Sequence, residues 1–214
     1  DHALKPVGLA FHVGSQTTDP SPFVNILPKI KSVVNELLVL GFDISLLDIG
    51  GGFPLFREGS SVNIETFCRP IKSVLDNFFQ NFRIISEPGR FVVGNACFLV
   101  TKVIGKSIRK GIIWYYIDDG LYGCFSGKIY DKADYPALAL KKSGNKEYPC
   151  MIAGPTCDSF DVIFENKLLP ELNVGDYLIC SYMGAYTYSS ATDFSLLRKA
   201  ELVIIEEEKD ELKL

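Results

Sequence analysis

Histidine is scarce in this 214-residue sequence, with two in all, and the six cysteines lack the Cys-x-x-Cys spacing of structural zinc sites. The sequence therefore predicts no metal centre. A disulfide scaffold is not expected either, because a chain of this length with 47% hydrophobic residues can bury a core of its own. We interpret the cysteines as reduced thiols and expect a cytoplasmic protein.

Clusters of positive charge and long apolar runs are also missing. The formal net charge is −4 and no Lys/Arg run stands out, which argues against nucleic acid as the main partner. No apolar run approaches the roughly 20 residues of a membrane span. The opening DHALKPVGLAF lacks a signal-peptide pattern and an initiator Met, so we expect a piece of a longer protein. The segment KDELKL near the end contains KDEL, but an ER-retention signal must be the last four residues and two more residues follow here. We interpret the segment as a solvated acidic tail.

The N-terminal part alternates strand-like and helical segments. Strands are predicted at 7–13, 44–49 and 82–86, where the sequence runs VGLAFHV, ISLLDI and FRIIS. Apolar residues at helical spacing lie between these strands. Strand–helix–strand repetition with short turns predicts a parallel sheet.

Residues typical of helix ends mark the limits of the two predicted helical segments. Asp19 and Asn63 are expected to cap the starts of the helices, and Gly41 is expected to end the first one. Pro28 and Pro70 lie inside the two helical patterns. We therefore expect a kink or a later start in each helix.

The pattern changes from about residue 91 onward. RFVVGNACFLVTKVIGKSI, GIIWYYIDD, GDYLICSYM and AELVIIEEE are typical of strands, and no helical stripe accompanies them. The sequence predicts an α/β domain at 1–95 and a mostly β domain at 96–214.

Polar residues and glycines stand where the three predicted N-terminal strands end. In parallel βα sheets the functional site lies at this edge. Glycines let backbone N–H groups approach an oxyanion, a serine hydroxyl can donate to it, and an arginine can neutralise it. We therefore predict a phosphate site, with a flexible turn as the alternative. The residues at the strand ends are His12, Gly14, Ser15, Gly50, Gly51, Gly52, Glu87, Gly89 and Arg90.

Two of these residues suit an aromatic cofactor. Glu87 could keep a pyridine nitrogen protonated and so make the ring an electron sink, and His12 could stack on that ring. A salt bridge between Glu87 and Arg90, and a structural role for His12 in the core, are the alternatives.

The segment GPTCDSFDVI, residues 154–163, places a thiol beside an acid. Cys157 directly precedes Asp158, and Asp161 follows three residues later. A polar turn is the alternative, because Gly, Pro, Thr, Asp and Ser all favour turns.

Six motifs in order give the sequence a family resemblance. They are FHVGSQTTDP, LLDIGGGFP, SEPGRFVV, DDGLYGCFSGKIYD, GPTCDSFDVI and NVGDYLICSYMGAYT. The chain resembles the C-terminal portion of the eukaryotic-type ornithine decarboxylases, pyridoxal-phosphate enzymes of the alanine-racemase-like fold group. The resemblance implies a partial TIM-type (β/α) barrel followed by a C-terminal β domain, in a homodimer with shared active sites.

The resemblance also implies roles for individual residues. The cofactor would be pyridoxal phosphate and the substrate a basic amino acid. From a second subunit, Cys157 would protonate the carbanion left when CO₂ departs, and Asp158 would bind the distal amine. The other implied roles are ring stacking for His12, pairing with the pyridine nitrogen for Glu87, cofactor binding for Ser15, Gly50, Gly51, Gly52, Gly89, Arg90 and Tyr186, and substrate binding for Asp131, Tyr130 and Phe194.

The sequence departs from the family pattern in two places. The family has Phe-Asn-Gly-Phe where this chain has FSLL, so Phe194 matches but Ser195 replaces Asn, and the Gly and the second Phe are gone. The segment with the cofactor-binding lysine is missing, and three βα units stand where the barrel needs eight. We expect this chain alone to be inactive.

Three functions remain open at this point. The first is ornithine decarboxylation to putrescine within a longer chain, in polyamine synthesis. The second is an inactive, antizyme-inhibitor-like homologue that acts by binding an antizyme-like regulator. The third is a decarboxylase for arginine, lysine or diaminopimelate. In this chain Asp158 follows Cys157, whereas the family's diaminopimelate enzymes have Glu at that position, which argues against diaminopimelate.

Overall fold

The structure, a computed structural model, describes residues 4–56, 63–140 and 146–205. The chain divides into two compact units, Asp1–Phe98 and Leu99–Leu214, whereas the sequence predicted a boundary after residue 95. The acidic tail predicted at KDELKL lies outside the described residues. Within those residues, none of the helices is long and apolar enough to cross a membrane.

A three-stranded parallel sheet forms the base of the first unit. The register places Leu47 of the middle strand beside Leu9 on one side and Ile84 on the other. This arrangement confirms the parallel sheet, and it brings the carboxyl ends of the three strands to one edge. In spatial order the strands are β1 (Gly8–Ala10), β2 (Leu46–Asp48) and β3 (Arg83–Ile85).

The two helices of this unit are α1 (Ser21–Val39) and α2 (Ile64–Phe78). The predicted stop at Gly41 is confirmed: its φ is +85°, which suits glycine, and its N–H donates to the carbonyl of Leu38 at 3.0 Å. The predicted cap at Asn63 is confirmed too, since its side chain takes part in a reciprocal capping box with the third residue of α2.

Neither interior proline delays the start of its helix. Both α1 and α2 begin upstream of Pro28 and Pro70, so the prediction of a later start is wrong. Asp19 does bond to the first turn of α1, because its carboxylate accepts the N–H of Ser21 at 3.0 Å, although Pro20 occupies the N-cap position.

Aromatic rings dominate the core of the first unit. The ring of Phe23 on α1 lies 5.2 Å from that of Phe53 and 6.0 Å from that of Phe67 on α2, measured between centroids. The predicted apolar faces of the two helices thus pack into one cluster with the middle strand. The buried members of this cluster are Phe23, Leu27, Val34, Ile44, Leu47, Ile49, Phe53, Phe67, Ile71 and Phe79.

The second unit is built on a six-stranded sheet, as the strand-rich sequence predicted. Its strands lie in the spatial order β6-β9-β4-β5-β7-β8, and of the neighbouring pairs only β5 and β7 run parallel. The strands are β4 (Leu99–Arg109), β5 (Ile112–Ile117), β6 (Ala137–Ala139), β7 (Tyr148–Ala153), β8 (Val162–Leu169) and β9 (Tyr177–Cys180).

The two edge strands of this sheet face a common space. Residues of β6 and of β8 line one open cavity of about 1310 Å³. The sheet therefore curls back toward itself into a nearly closed, barrel-like form, and within the described part of the chain its two edge strands do not pair with each other.

Two segments predicted as strands have other structures. The start of RFVVGNACFLV belongs to the short helix α3 (Gly89–Val93). Arg90 is buried there and Phe91 packs against the core of the first unit, so tertiary packing overrides the strand preference of the valines. Within AELVIIEEE, residues 201–205 have no regular structure, and 206–208 lie outside the described residues.

Candidate active site

Four of the predicted site residues of the first unit, His12, Gly50, Gly51 and Glu87, are joined at the carboxyl edge of the sheet. Gly51, after β2, donates its N–H to Nδ1 of His12, after β1, at 3.2 Å. Glu87, after β3, donates its N–H to the carbonyl of Gly50 at 2.8 Å. One bond from main chain to side chain and one bond between main chains therefore join the imidazole of His12, the glycine turn and the backbone of Glu87 across the ends of all three strands.

The glycine run is required by close packing of backbone. A Cβ atom on Gly50 would lie 2.0 Å from the carbonyl oxygen of Phe11, and one on Gly51 would lie 2.7 Å from that of Glu87. Gly52 has φ +100°, and its Cβ would lie 2.3 Å from the carbonyl oxygen of Gly14. No other residue type fits these positions without displacing a strand end.

Two of the three glycine N–H groups already have protein acceptors. Gly50 donates to Oδ1 of Asp48 at 2.8 Å, and Gly51 donates to His12. An anion at this turn would therefore meet the N–H of Gly52 rather than all three amides. The expectation that the whole run faces a phosphate changes accordingly, because each N–H makes one strong hydrogen bond.

The bond from Gly51 also fixes the imidazole of His12. Since Nδ1 accepts, the neutral ring carries its proton on Nε2. Among the residues that the structure describes, the ring is anchored through this one nitrogen, and His12 is exposed to solvent. Its face can thus contact a flat ligand.

The remaining candidates of this unit lie near β1 and on α3. Ser15 is exposed in the loop that follows β1. Gly89 and Arg90 are the first two residues of α3, and Arg90 is 7% exposed. A largely buried guanidinium of this kind presents a fixed positive charge rather than a solvated one.

In the second unit, Cys157 and Asp158 lie on the loop between β7 and β8. The thiol of Cys157 is exposed. The carboxylate of Asp158 is held at both oxygens: Oδ1 accepts the N–H of Phe160 at 3.0 Å, and Oδ2 accepts the hydroxyl of Tyr122. The segment is a polar turn in its backbone, as one interpretation held, and it presents a thiol and an oriented acid.

The hydrogen bond between Tyr122 and Asp158 shifts the pKa values of the two groups in opposite directions. The phenol hydroxyl, followed by the N–H of Phe160, lowers the pKa of the Asp158 carboxyl. The same carboxylate raises the pKa of Tyr122. The pair is therefore an ionised carboxylate and a neutral phenol at neutral pH.

Asp161 forms the buried base of this loop. It is 2% exposed, and its carboxylate accepts the N–H of Leu121 at 2.8 Å and the hydroxyl of Thr156 at 2.7 Å. Gly120 and Gly154 press against it so closely that a Cβ on either would lie within 2.5 Å of a carboxylate oxygen. Asp161 thus ties the loop to the segment that carries Tyr122, and it serves structure rather than chemistry.

A second buried acid, Asp119, shapes that neighbouring segment. Its Oδ1 accepts the N–H groups of Gly120 at 2.6 Å and of Cys124 at 2.7 Å. Burial raises the pKa of Asp119, whereas the partly exposed Asp158 has a lowered pKa. Burial also raises the pKa of the Cys124 thiol, so this cysteine is inert packing in contrast to the exposed Cys157.

Phe194 contacts the same tyrosine. The rings of Tyr122 and Phe194 are stacked, with centroids 4.2 Å apart and planes at 23°. The next two residues, Ser195 and Leu196, have φ values of +57° and +54°. These are the positions where the family pattern has Asn and Gly, the two residues that adopt this conformation most readily.

Comparison with known proteins identifies the family. The family model for the pyridoxal-dependent decarboxylase C-terminal sheet domain matches residues 19–184. The chain belongs to the pyridoxal-dependent decarboxylases. This confirms the resemblance derived from the sequence motifs, and the chain contains the C-terminal sheet domain of that family.

Two of the similar proteins are named as decarboxylases of basic amino acids, and a third is named as an antizyme inhibitor. A lysine/ornithine decarboxylase of Selenomonas ruminantium is 37% identical over 98% of this chain and 53% of its own length. The ornithine decarboxylase of Cricetulus griseus is 38% identical over 93% of this chain and 47% of its own length. Antizyme inhibitor 2 of Xenopus laevis is 36% identical over 88% of this chain and 45% of its own.

A solved structure agrees with these sequence relatives. The crystal structure of lysine/ornithine decarboxylase from Vibrio vulnificus, complexed with cadaverine, has a TM-score of 0.84 and 44% identity. The match covers 94% of this chain and 55% of that one. The chain spans about half the length of the curated relatives it matches.

The other candidates of the decarboxylase sheet domain are spread along the chain. Tyr130 ends the short helix α4 (Gly127–Tyr130) and is 79% exposed, while Asp131 is the C-cap of that helix. Tyr186 is 52% exposed with φ +55°, and the next residue, Thr187, is buried. Asp131 is thus held at a helix end and Tyr186 in a strained turn.

Sequence reasoning missed Tyr122 as a functional residue. It lies inside the motif DDGLYGCFSGKIYD, between Leu121 and Gly123, and no local pattern distinguishes it from a surface aromatic. Its partner Asp158 is 36 residues away in the sequence. The position of Tyr122 between an acid and an aromatic ring is visible only in the folded chain.

Proposed function

We propose that this chain is part of a longer enzyme of polyamine synthesis that uses pyridoxal phosphate to decarboxylate a basic amino acid. Ornithine is the substrate that we favour. The observation that carries the proposal is the β7–β8 loop, where an exposed thiol adjoins an oriented, ionised carboxylate. A carboxylate of this kind suits the distal ammonium of ornithine or lysine. Family membership and the names of the relatives support the same chemistry.

The strand-end residues of the first unit fit the cofactor. Pyridoxal phosphate, when bound, supplies a ring that accepts the electron pair released as CO₂ leaves. We assign the face of His12 to stacking on that ring and Glu87 to its nitrogen, because both lie beside the glycine turn. The residues assigned to the phosphate are Ser15, Gly52, Gly89, Arg90 and Tyr186. Gly52 is the amide donor of the glycine run, and Gly50 and Gly51 shape the turn, because their N–H groups bond to Asp48 and His12.

The second unit supplies the substrate side of the reaction. Asp158 would bind the distal ammonium together with Asp131, and Tyr130 and Phe194 would line the pocket wall. Cys157 would deliver a proton to the carbon that has lost CO₂, since a thiol is a suitable proton donor to carbon. The proposed substrate class is a basic amino acid, because the carboxylates of Asp158 and Asp131 would then both bind its distal ammonium group.

We further propose an assembly in which the cofactor-binding residues and the pair Cys157 and Asp158 of one active site come from different copies of the chain. In a homodimer, Cys157 and Asp158 of one copy would complete the cofactor site of the other. The three parallel strands of the first unit would be part of a TIM-type barrel whose other units precede this chain. The assembled enzyme would be cytoplasmic.

An antizyme-inhibitor-like role is the second candidate. It has support from the antizyme inhibitor 2 relative and from the replacement of Asn-Gly by Ser195 and Leu196 in a left-handed turn. Arginine or lysine as the substrate is the third candidate. Retention of Cys157, Asp158 and Glu87 favours the enzyme over the inactive homologue.

The test uses the full-length protein that carries this chain, reconstituted with pyridoxal phosphate, and measures CO₂ release from ornithine, lysine and arginine. We expect the fastest release from ornithine. Cys157→Ala should slow turnover by about 10²–10⁴-fold while sparing cofactor absorbance, because a positioned proton donor is lost. Cys97→Ala, which removes another exposed thiol, is the matched control and should keep wild-type turnover.

Two outcomes contradict the proposal. Turnover of Cys157→Ala at the wild-type rate would remove the role assigned to that thiol. A full-length protein that neither binds the cofactor nor releases CO₂, yet binds an antizyme-like protein, would favour the inhibitor-like function.

A further inference from the structure

Tyr122 is held from three directions in the second unit. Its hydroxyl donates to Oδ2 of Asp158. Its ring stacks on Phe194 at a centroid distance of 4.2 Å. Its carbonyl accepts both the N–H of Thr192, at 2.8 Å, and the hydroxyl of Thr192, at 3.0 Å. The tyrosine is thus fixed at its main chain, its ring and its polar tip.

We propose that Tyr122 is a positioning residue that fixes the Asp158 carboxylate for the distal ammonium of a diamine-like ligand, and that Phe194 holds Tyr122 in place. This inference rests on the proposed function. It adds a residue that acts through Asp158 rather than on the substrate itself.

The geometry of Asp158 explains why a second anchor matters. The terminal torsion of an aspartate is broad, so a single hydrogen bond lets the carboxylate pivot. The N–H of Phe160 holds only Oδ1. The hydroxyl of Tyr122 holds Oδ2 and stops that pivot. An ionised carboxylate accepts at about four lone-pair sites, so about two sites are left for an ammonium group.

The segment that carries Phe194 braces the tyrosine in turn. The N–H of Phe194 donates to the hydroxyl of Thr192 at 3.3 Å, and that same hydroxyl donates to the carbonyl of Tyr122. Main-chain and ring contacts of Tyr122 therefore come from one short stretch, Thr192–Phe194. The departure from the family pattern begins only after this stretch, at Ser195.

The test measures ligand binding by calorimetry in the full-length protein loaded with pyridoxal phosphate. The probes are putrescine, which has two amines, and n-butylamine, which has one. Tyr122→Phe keeps the ring stack and removes only the hydroxyl, so it should weaken putrescine binding about tenfold and leave n-butylamine binding unchanged. Phe194→Leu should shift putrescine binding in the same direction.

The matched control is Tyr116→Phe. The hydroxyl of Tyr116 lies 3.3 Å from that of Ser107 and does not bond to Asp158. This variant makes the same chemical change in the same unit, and it should bind putrescine as the wild type does.

A pH series distinguishes positioning from a general structural effect. The hydroxyl of Tyr122 lowers the pKa of Asp158, so its removal should move the loss of putrescine binding at acid pH to a higher pH. Variants of merely reduced stability would keep the wild-type pH dependence. An unchanged acid limb in Tyr122→Phe would count against the inference.

The remaining outcomes separate this inference from the function on which it rests. A wild type that prefers putrescine over n-butylamine, together with a Tyr122→Phe variant that keeps the full preference, overturns the inference alone. A wild type without any preference for the diamine overturns the proposed function and this inference with it.

Discussion

At the scale of single residues, the glycine turn after β2 shows how one motif can have two physical causes. The sequence pattern of Gly50–Gly52 predicts an anion-binding turn. Its side-chain positions are filled by neighbouring carbonyl oxygens, and two of its N–H groups bond to Asp48 and His12. The need for glycine therefore arises first from the close approach of the strand ends, and any role in phosphate binding is added to that.

A substitution at Gly51 tests this interpretation. In Gly51→Ala the new Cβ would lie 2.7 Å from the carbonyl oxygen of Glu87 and 3.2 Å from the ring of His12. Overpacking of this kind costs about 1–3 kcal/mol. Because both neighbours are assigned to the pyridine ring, we expect comparable losses of affinity for pyridoxal phosphate and for pyridoxal, measured by fluorescence titration of the full-length protein.

The control for this prediction is Gly111→Ala. Gly111 has φ +79°, and a methyl group added there would meet no atom within 4 Å, so the substitution adds backbone strain without touching the strand ends. It should lower stability and leave cofactor affinity unchanged. A loss in Gly51→Ala that is confined to the phosphorylated ligand would instead favour a pure phosphate turn.

At the scale of elements, the turn after Phe194 carries strain that its sequence does not relieve. Leu196 has φ +54° and is 91% exposed. A left-handed conformation costs a residue with a Cβ roughly 1–2 kcal/mol, and no burial of this leucine compensates for it. The Asn-Gly of the family pattern would remove most of that cost.

Leu196→Gly should therefore stabilise the protein. We expect a gain of about 0.5–1 kcal/mol in the free energy of unfolding, because relief of strain exceeds the added entropy of glycine in the unfolded chain. Urea unfolding of the full-length protein measures it. Leu202→Gly, at another exposed position in irregular structure, is the control and should bring no gain. Equal effects of the two changes would contradict the assignment of strain to Leu196.

The helices show where local rules gave way to packing. Pro28 and Pro70 each remove one main-chain hydrogen bond, and local propensity predicts a later start. Phe23 and Leu27, in the turns before Pro28, are fully buried, and Phe67, before Pro70, is 1% exposed. Burial of these side chains, each worth about 1.5–3 kcal/mol, offsets the lost bond and keeps the turns helical.

At the scale of the whole molecule, we expect this chain to carry only some of the groups that the proposed reaction needs. A cofactor-binding lysine would lie at the carboxyl end of a barrel strand. The segments that follow β1, β2 and β3, at 11–20, 49–56 and 86–98, contain no lysine. The chain also spans about half the length of its curated relatives.

We therefore expect the isolated 214-residue chain to form no specific covalent adduct with pyridoxal phosphate. The measurement is reduction with borohydride in the presence of the cofactor, followed by mass spectrometry of the lysine-containing peptides. The full-length protein, treated in parallel, should give one stoichiometric label outside these residues. A single stoichiometric label within the isolated chain, accompanied by CO₂ release from ornithine, would contradict the prediction.

The sequence by itself determined the parallel sheet of the first unit, the helix boundaries at Gly41 and Asn63, the strand-rich second part and the family. These follow from periodicity, turn chemistry and motif order, which are local properties of the chain. The tertiary structure alone decided which polar groups meet. The N–H of Gly51 bonds to His12 across a separation of 39 residues, and the N–H of Leu121 bonds to Asp161 across a separation of 40 residues. A local pattern states which face of an element is buried, but the partner of a buried donor or acceptor depends on which distant segments the fold brings together.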